Sequence, residues 1–187
     1  MSESITYFEK EGKENTEKLI ALVKEKVKNS NIKYIAIASV SGKTALKLSD
    51  EIQDVNIINV SHYCGFKSPN TSEITEKTIA KLEKRGIKTF QGSHAFSGGC
   101  RGITNKFGGA TYLDVISQTL RMFSQGMKVA CEISLMLSDA GMIPVNEEII
   151  SIGGKAQGID TAIILTSVNT ANIFDMKIHE IIAMPRP

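Results

Sequence analysis

Short apolar runs alternate with amphipathic stretches along this chain, a pattern typical of strands and helices that follow one another. Apolar runs rich in β-branched residues predict strands at residues 5–8, 34–38, 55–61, 87–91, 148–152, 160–166 and 175–184. Apolar residues spaced three and four apart predict helices over residues 15–29, from 45, over 72–85 and from 111. The alternation predicts an α/β fold around a mostly parallel sheet, and 187 residues fit one domain, residues 1–187.

The pattern does not decide the structure of two stretches. Residues 92–109 hold six glycines among eighteen residues, which favours an ordered loop that closes over a ligand. The alternative is a loop with a structural role only. Residues 111–140 fit either one long helix that tolerates Gly126 or two helices in succession.

The turn after the strand at 34–38 is a candidate phosphate site. Ser41 is a natural N-cap for the next helix, and Gly42 allows a ligand to approach the backbone. Free N–H groups at a helix start favour an anion, and here they would be joined by the hydroxyls of Ser39, Ser41 and Thr44 and the charge of Lys43.

This turn has two other possible interpretations. A nucleotide-binding P-loop needs a glycine five positions before Gly42, where the chain has Ile37, so that motif is excluded. An ordinary strand–turn–helix junction with a capping serine remains the alternative.

The heptapeptide Ser-Val-Ser-Gly-Lys-Thr-Ala at 39–45, between a strand and a helix and followed by a second strand at 55–61, resembles the C-terminal domain of pyruvate kinases. In those enzymes a loop of this pattern holds a phosphate of a sugar bisphosphate effector. From residues 12–16 to 179–187 the chain also resembles a family of stand-alone, mainly archaeal proteins with that fold. The resemblance implies a three-layer α/β/α sandwich and a site for flavin mononucleotide (FMN).

Four polar or glycine-rich segments each follow a predicted strand, namely 39–44, 61–65, 92–109 and 153–161. Such segments gather at the carboxyl edge of a parallel sheet, where ligands bind. We therefore expect one site there, with the phosphate at 41–44. Its other cofactor-binding candidates are the hydrogen-bonding residues and glycines His62, Ser93, His94, Ser97, Gly98, Gly153 and Gly154. Phe96 or Phe107 could cover a planar ring, and each histidine could instead be an ordinary loop residue.

Composition limits the kinds of partner that the chain is expected to bind. The net charge of +2 gives no broad electrostatic reason to bind nucleic acid or an anionic membrane. A polar start without a signal peptide, no apolar run of membrane length, and three widely spaced cysteines predict a cytoplasmic protein with free thiols and no metal site. Pyruvate kinase C-terminal domains form subunit contacts, so the resemblance implies that the apolar stretch 127–137 could do the same, and we expect a homo-oligomer.

Three function classes remain open at this point. The first is a flavin- or phosphate-ester-binding protein with a sensing or regulatory role. The second is an FMN-dependent oxidoreductase. The third is a hydrolase or isomerase of a phosphorylated metabolite that uses His94 or Glu132, although a carboxylate in such an apolar run is more often paired to an arginine or faces a partner subunit.

Overall fold

The structure, a computed structural model, describes residues 4–186 and contains one mixed sheet flanked by helices. Its strands are β1 Thr6–Phe8, β2 Tyr34–Ala38, β3 Asn56–Ser61, β4 Lys88–Gln91, β5 Glu148–Gly153, β6 Thr161–Thr166 and β7 Ile178–Pro185. Its α-helices are α1 Thr16–Lys28, α2 Lys43–Glu51, α3 Glu76–Glu83, α4 Gly98–Phe107, α5 Tyr112–Arg121 and α6 Gln125–Asp139. Short 3₁₀ helices occupy Lys13–Asn15 and Thr170–Asp175.

The seven strands lie in the order β1-β7-β6-β5-β2-β3-β4. Each neighbouring pair is parallel except β5–β6 and β6–β7, so β6 alone runs against the other six strands. The predicted α/β fold with a mostly parallel sheet is therefore confirmed. The antiparallel β6 follows from its connection, because the short segment between β5 and β6 can only form a hairpin.

Helices cover both faces of the sheet, as a three-layer sandwich requires. Apolar residues of α1, α2 and α3 pack on one face in a cluster that includes Leu19, Leu48 and Leu82. Residues of α6 pack on the other face, where Met127 and Leu135 belong to the cluster and α5 packs against it from outside.

The interpretation of residues 92–109 as a loop is wrong in part, since α4 spans Gly98–Phe107 within it. Three glycines in one short helix argue against helix formation by propensity, which explains the error. The helix is followed by Gly108 and Gly109. Their φ angles of 73° and 78° are rarely adopted by residues that have a side chain. No residue of α4 is buried, so the helix lies on the surface.

Residues 111–140 form two helices. Ser124 is extended and its hydroxyl accepts from the Met127 N–H at 2.9 Å, so it ends one helix and caps the next. Thr111 begins α5 with a capping box, in which its hydroxyl accepts from the Asp114 N–H and the Asp114 carboxylate accepts from the Thr111 N–H.

Helix α6 is buried on nearly every face, which overturns the predicted role of residues 127–137 as a subunit contact. The helix lies between the sheet, α5 and the second 3₁₀ helix. Its apolar residues therefore belong to the core of this chain. Within residues 4–186, no helix combines the length and the hydropathy that a membrane span would require.

Candidate functional site

The strand directions bring the four predicted segments to one edge of the sheet. Segments 39–44, 61–65 and 92–109 follow the parallel strands β2, β3 and β4, and 153–161 joins β5 to β6 at the same edge. Register places Ala38 beside Val60 and Ser61 beside Gln91, so the first three segments begin side by side.

The phosphate turn, which we define as residues 39–44, is closed by Ser39. Its hydroxyl accepts from the Thr44 N–H at 3.1 Å, and its carbonyl accepts from the Gly42 N–H at 3.0 Å. Ser39 is buried, so its hydroxyl caps the helix from within. Gly42 occupies the N-cap position, and the side chain that caps the helix start is that of Ser39, so the prediction that Ser41 caps this helix is wrong.

The cap leaves part of the helix start open. Leu46 N–H donates to the Gly42 carbonyl, whereas no residue in the described part of the chain accepts from the Lys43 or Ala45 N–H. The side chains of Ser41 and Lys43 are exposed, and Lys43 forms no ion pair with any residue between 4 and 186. An anion at this turn would meet two amides, a hydroxyl and an ammonium group.

Gly42 has a packing reason for being glycine. Its φ is 74°, and a Cβ there would lie 2.8 Å from Thr78 Cγ2 and 2.9 Å from Leu82 Cδ1. The close approach predicted at Gly42 is therefore to helix α3, not to a ligand.

The other candidate glycines are close to protein atoms as well. A Cβ on Gly153 would lie 2.3 Å from the Gly126 carbonyl oxygen of α6, and one on Gly154 would lie 2.7 Å from the Gly158 carbonyl oxygen. A Cβ on Gly98 would collide with the Ser93 hydroxyl. Glycine at 153 and 154 is explained by packing, so neither supports a ligand lying against the backbone.

Asp160 joins three segments at the end of the sheet near these glycines. Its carboxylate accepts from the Gly12 N–H at 2.9 Å and from the Thr161 hydroxyl at 2.9 Å. Burial raises the pKa of Asp160 above its usual value, while these hydrogen bonds oppose the shift. The Thr161 hydroxyl also lies 3.0 Å from that of Ser124. Asp160 therefore links the segment after β1 to the β5–β6 hairpin. The sequence analysis did not predict this contact.

A histidine–aromatic cluster, which we define as His62, Tyr63, Phe66 and His94, lies where β3 and β4 end. The His62 ring stacks on Phe66 with centroids 3.9 Å apart and meets the His94 ring at 5.4 Å. Tyr63 lies edge-on to His94 at 5.7 Å, and the Arg101 guanidinium of α4 lies 5.4 Å from the Phe66 ring. The predicted residues His62 and His94 are thus brought together, with Phe66 as the stacking ring.

His62 is held by a carboxylate that no local sequence pattern indicates. His62 Nδ1 lies 2.6 Å from Glu73 Oε2. The Gln91 amide donates to the His62 carbonyl at 3.0 Å and to the Ser72 hydroxyl at 2.8 Å, so it fastens together the two segments that carry this pair. Ile74, next in the chain, packs beside Gly42, so the segment that carries Glu73 approaches the phosphate turn.

A buried ion pair between Lys128 and Glu132 lies behind the cluster. Their side chains are 5% and 4% exposed, and the other Glu132 oxygen accepts from the Phe96 N–H at 3.0 Å. Burial lowers the pKa of Lys128, and the Glu132 carboxylate opposes that shift. Glu132 is thus an ion-paired residue, with a lysine one turn away as its partner.

His94 lies between this pair and the aromatic rings. Burial lowers the pKa of His94, and the charges of His62, Lys128 and Arg101 add to the shift while Glu132 opposes it. The lowered pKa favours the neutral form of this imidazole.

The remaining candidates lie around the cluster. Phe96 is 1% exposed in the core, so the interpretation of Phe96 as a ring-covering residue is wrong, and Phe107 is 79% exposed on the outside of α4. Ser93 is exposed and Ser97 precedes α4 without a side-chain cap.

Two clefts lie away from this edge. One of about 460 Å³ lies at the opposite edge of the sheet, where β3 and β4 begin, and is lined by residues that include Asp50, Val55 and Arg85. The other, of about 480 Å³, lies beside α1. Neither is lined by a predicted site residue, so the carboxyl-edge site rests on its polar groups and not on a preformed cavity.

The chain matches the family described as pyruvate kinase, alpha/beta domain, over residues 17–173. It belongs to this family. Among solved structures, a pyruvate kinase from Cryptosporidium parvum matches with 16% sequence identity and a TM-score of 0.41 over 81% of this chain. The chain spans 22% of that pyruvate kinase's length. The family match accounts for the fold of this chain and indicates no ligand.

Proposed function

We propose that the chain binds a phosphate ester at the carboxyl edge of the sheet, with the phosphate held at the phosphate turn. The observation that carries the proposal is the pair of backbone N–H groups at Lys43 and Ala45 that have no acceptor among residues 4–186. With the exposed Ser41 hydroxyl and Lys43 ammonium group, they supply the donors that a phosphate needs. The positive end of the α2 dipole adds to them.

FMN is the candidate ligand that the resemblance to stand-alone archaeal proteins favours, and the described residues fit it. Its phosphate suits the phosphate turn, and its planar ring suits the rings of His62, Tyr63 and Phe66 beside it. Bound FMN would supply redox chemistry. A sensing or regulatory role and an FMN-dependent oxidoreductase are separated by adding NADPH, since only the oxidoreductase bleaches the bound flavin with turnover.

The protein's placement in the cytoplasm belongs to the same proposal. Cys64, Cys100 and Cys131 are all free thiols, as expected in a reducing compartment. Burial raises the pKa of Cys131 to about 12, so its thiol stays protonated and unreactive.

Replacing Lys43 with alanine should weaken FMN binding about tenfold, because a charged hydrogen bond to phosphate contributes about 1.5 kcal/mol. The measurement is the dissociation constant from quenching of FMN fluorescence. The matched control is Lys47→Ala, which removes the same charge one turn further along α2, where Lys47 pairs with Glu17. Equal affinities for the two variants, or no FMN binding by the unmodified protein, would contradict the proposal.

We also propose that the chain forms a homo-oligomer through the outer face of α4 and α5. Ile103 and Phe107 on α4 and Tyr112 and Val115 on α5 are 53%, 79%, 92% and 59% exposed, followed by Met122 at 77%. At about 200 Å² for an aromatic side chain, Phe107 and Tyr112 alone expose roughly 350 Å², which is a large share of the 800 Å² or so that one partner buries in a standard interface. Large exposed apolar side chains on two consecutive helices favour an interaction site there.

Val115→Lys should shift the protein toward the monomer, because the ammonium group would have to be buried in the interface. Light scattering after size-exclusion chromatography measures the mass. Val145→Lys is the control, since Val145 is 43% exposed in the turn before β5. A monomeric unmodified protein, or an assembly that tolerates Val115→Lys, would rule out this interface.

A further inference from the structure

The pair formed by His62 and Glu73 has the arrangement of a proton-transfer group. The carboxylate holds Nδ1 at 2.6 Å, which favours the tautomer in which that nitrogen carries the proton. Nε2 then has the free lone pair, and no residue in the described range 4–186 contacts it through a hydrogen bond. Each of the two side chains is 27% exposed, so a small molecule can reach the ring from the edge of the sheet.

The neighbouring residues hold the His62–Glu73 pair more firmly than is usual for a histidine in a loop. Phe66 covers one face of the His62 ring at 3.9 Å, and Gln91 ties the His62 backbone to the segment that carries Glu73. Ser61 immediately precedes His62, and its hydroxyl donates to the Val40 carbonyl of the phosphate turn at 2.6 Å. A ligand whose phosphate occupies that turn would therefore extend toward the imidazole.

We propose that His62 is a general base, positioned by Glu73, that isomerises a phosphorylated hydroxy-carbonyl compound held at the phosphate turn. The inference rests on the proposed phosphate-binding function and names a substrate class for that site. His94 is its partner, because its ring lies 5.4 Å from that of His62 and a neutral imidazole can donate a hydrogen bond to a carbonyl oxygen.

The proton balance closes without a further reactant. His62 Nε2 takes the proton from the carbon that bears the hydroxyl group, and the electron pair of that C–H bond forms the double bond of an enediol. The former carbonyl oxygen receives a proton from His94. His62 then returns its proton to the neighbouring carbon, while His94 recovers one from the other oxygen as the new carbonyl forms.

The other ionisable groups near His62 have different roles. Glu132 and Lys128 are paired with each other, and Glu132 also binds the Phe96 N–H, so neither has a free site for the substrate proton. Arg101 on α4 lies over Phe66 and adds positive charge beside the cluster. Glu73 is the remaining carboxylate at the cluster, and it is engaged at Nδ1.

Exchange with solvent deuterium tests the base directly. The full chain is incubated in D₂O with dihydroxyacetone phosphate, ribulose 5-phosphate and fructose 6-phosphate, and loss of the proton beside the carbonyl is followed by NMR. We expect exchange with at least one probe, and His62→Asn should slow it about 10²-fold or more. Asn keeps an N–H toward Glu73, so the fold is preserved, and His179→Asn, on β7 away from the site, should leave the rate unchanged.

The outcomes separate the two proposals. Deuterium exchange that depends on His62 but not on Lys43 supports His62 as the base and contradicts phosphate binding at the phosphate turn. FMN binding that depends on Lys43, with no exchange of any probe, overturns the base and leaves the phosphate turn standing. When both hold, FMN should suppress the exchange, because it occupies the same turn.

Glu73 is a positioning residue, so its test needs a measurement that would not change if Glu73 had only a structural role. In protein with ¹⁵N-labelled histidine, neutral His62 should show the Nδ1–H tautomer, and Glu73→Gln should change the tautomer ratio and slow exchange at least tenfold. Glu73→Asp should restore both in part. An unchanged tautomer signal in Glu73→Gln would overturn the positioning role.

Discussion

Replacing Glu132 with alanine should lower the free energy of unfolding by about 3–5 kcal/mol, because it leaves the Lys128 charge buried without a partner. Lys128 is 4% exposed and packs over the Phe96 ring at 5.6 Å, so the ammonium group cannot reach water without disturbing the core. The change also removes the acceptor for the Phe96 N–H. Urea unfolding followed by circular dichroism measures the loss.

Two further variants separate the buried charge from lost packing. Glu132→Leu combined with Lys128→Met removes both charges at similar volume and should recover most of the stability. Glu51→Ala breaks the exposed pair that Lys24 and Glu51 form at 2.8 Å and should change stability little. A small loss in Glu132→Ala would mean that Lys128 finds another partner or becomes neutral at little cost.

The sheet could be predicted from the sequence because each strand is a short apolar run and each helix has an apolar stripe. Strand periodicity also placed the polar segments at one edge, since that follows from strand direction alone. The antiparallel β6 and the neighbours of each strand could not be predicted, because pairing depends on contacts distant in the chain. Helix α4 was missed because three of its ten residues are glycine.

The site was predicted only as far as local signals reach. Donors at a helix start can be recognised from a heptapeptide, so residues 39–44 could be proposed as a phosphate site from the sequence alone, although the hydroxyl that caps the helix is that of Ser39 and not that of Ser41. The contact between His62 and Glu73 joins residues eleven positions apart through an irregular segment, and no periodic pattern predicts how such a segment folds back. Lys128 and Glu132 have the i,i+4 spacing of a helical ion pair, but the sequence analysis did not predict that they pair with each other.

Glycine shows most clearly why a motif alone could not define the site. In a phosphate-binding turn, glycine suggests that a ligand lies against the backbone, whereas Gly42 and Gly153 contact helices. The same sequence signal therefore has two physical causes. Only the position of the neighbouring helix decides between them.

Gly42→Ala should for this reason lower the free energy of unfolding by about 2–4 kcal/mol, whether or not a ligand is present. A φ of 74° costs an alanine roughly 1 kcal/mol, and overlap with a packed side chain adds about 1–3 kcal/mol. Leu82 and Ile74 are 0% and 3% exposed, so they cannot swing aside into solvent. Urea unfolding with and without FMN measures the effect.

Gly86→Ala is the matched control for this variant. Gly86 has the same φ of 74°, but a Cβ there would have no atom within 4 Å, so only the conformational cost of about 1 kcal/mol remains. The difference between the two variants is then the overlap with helix α3. If they lose the same stability, α3 yields to the added methyl group, and Gly42 would again need a ligand to explain it.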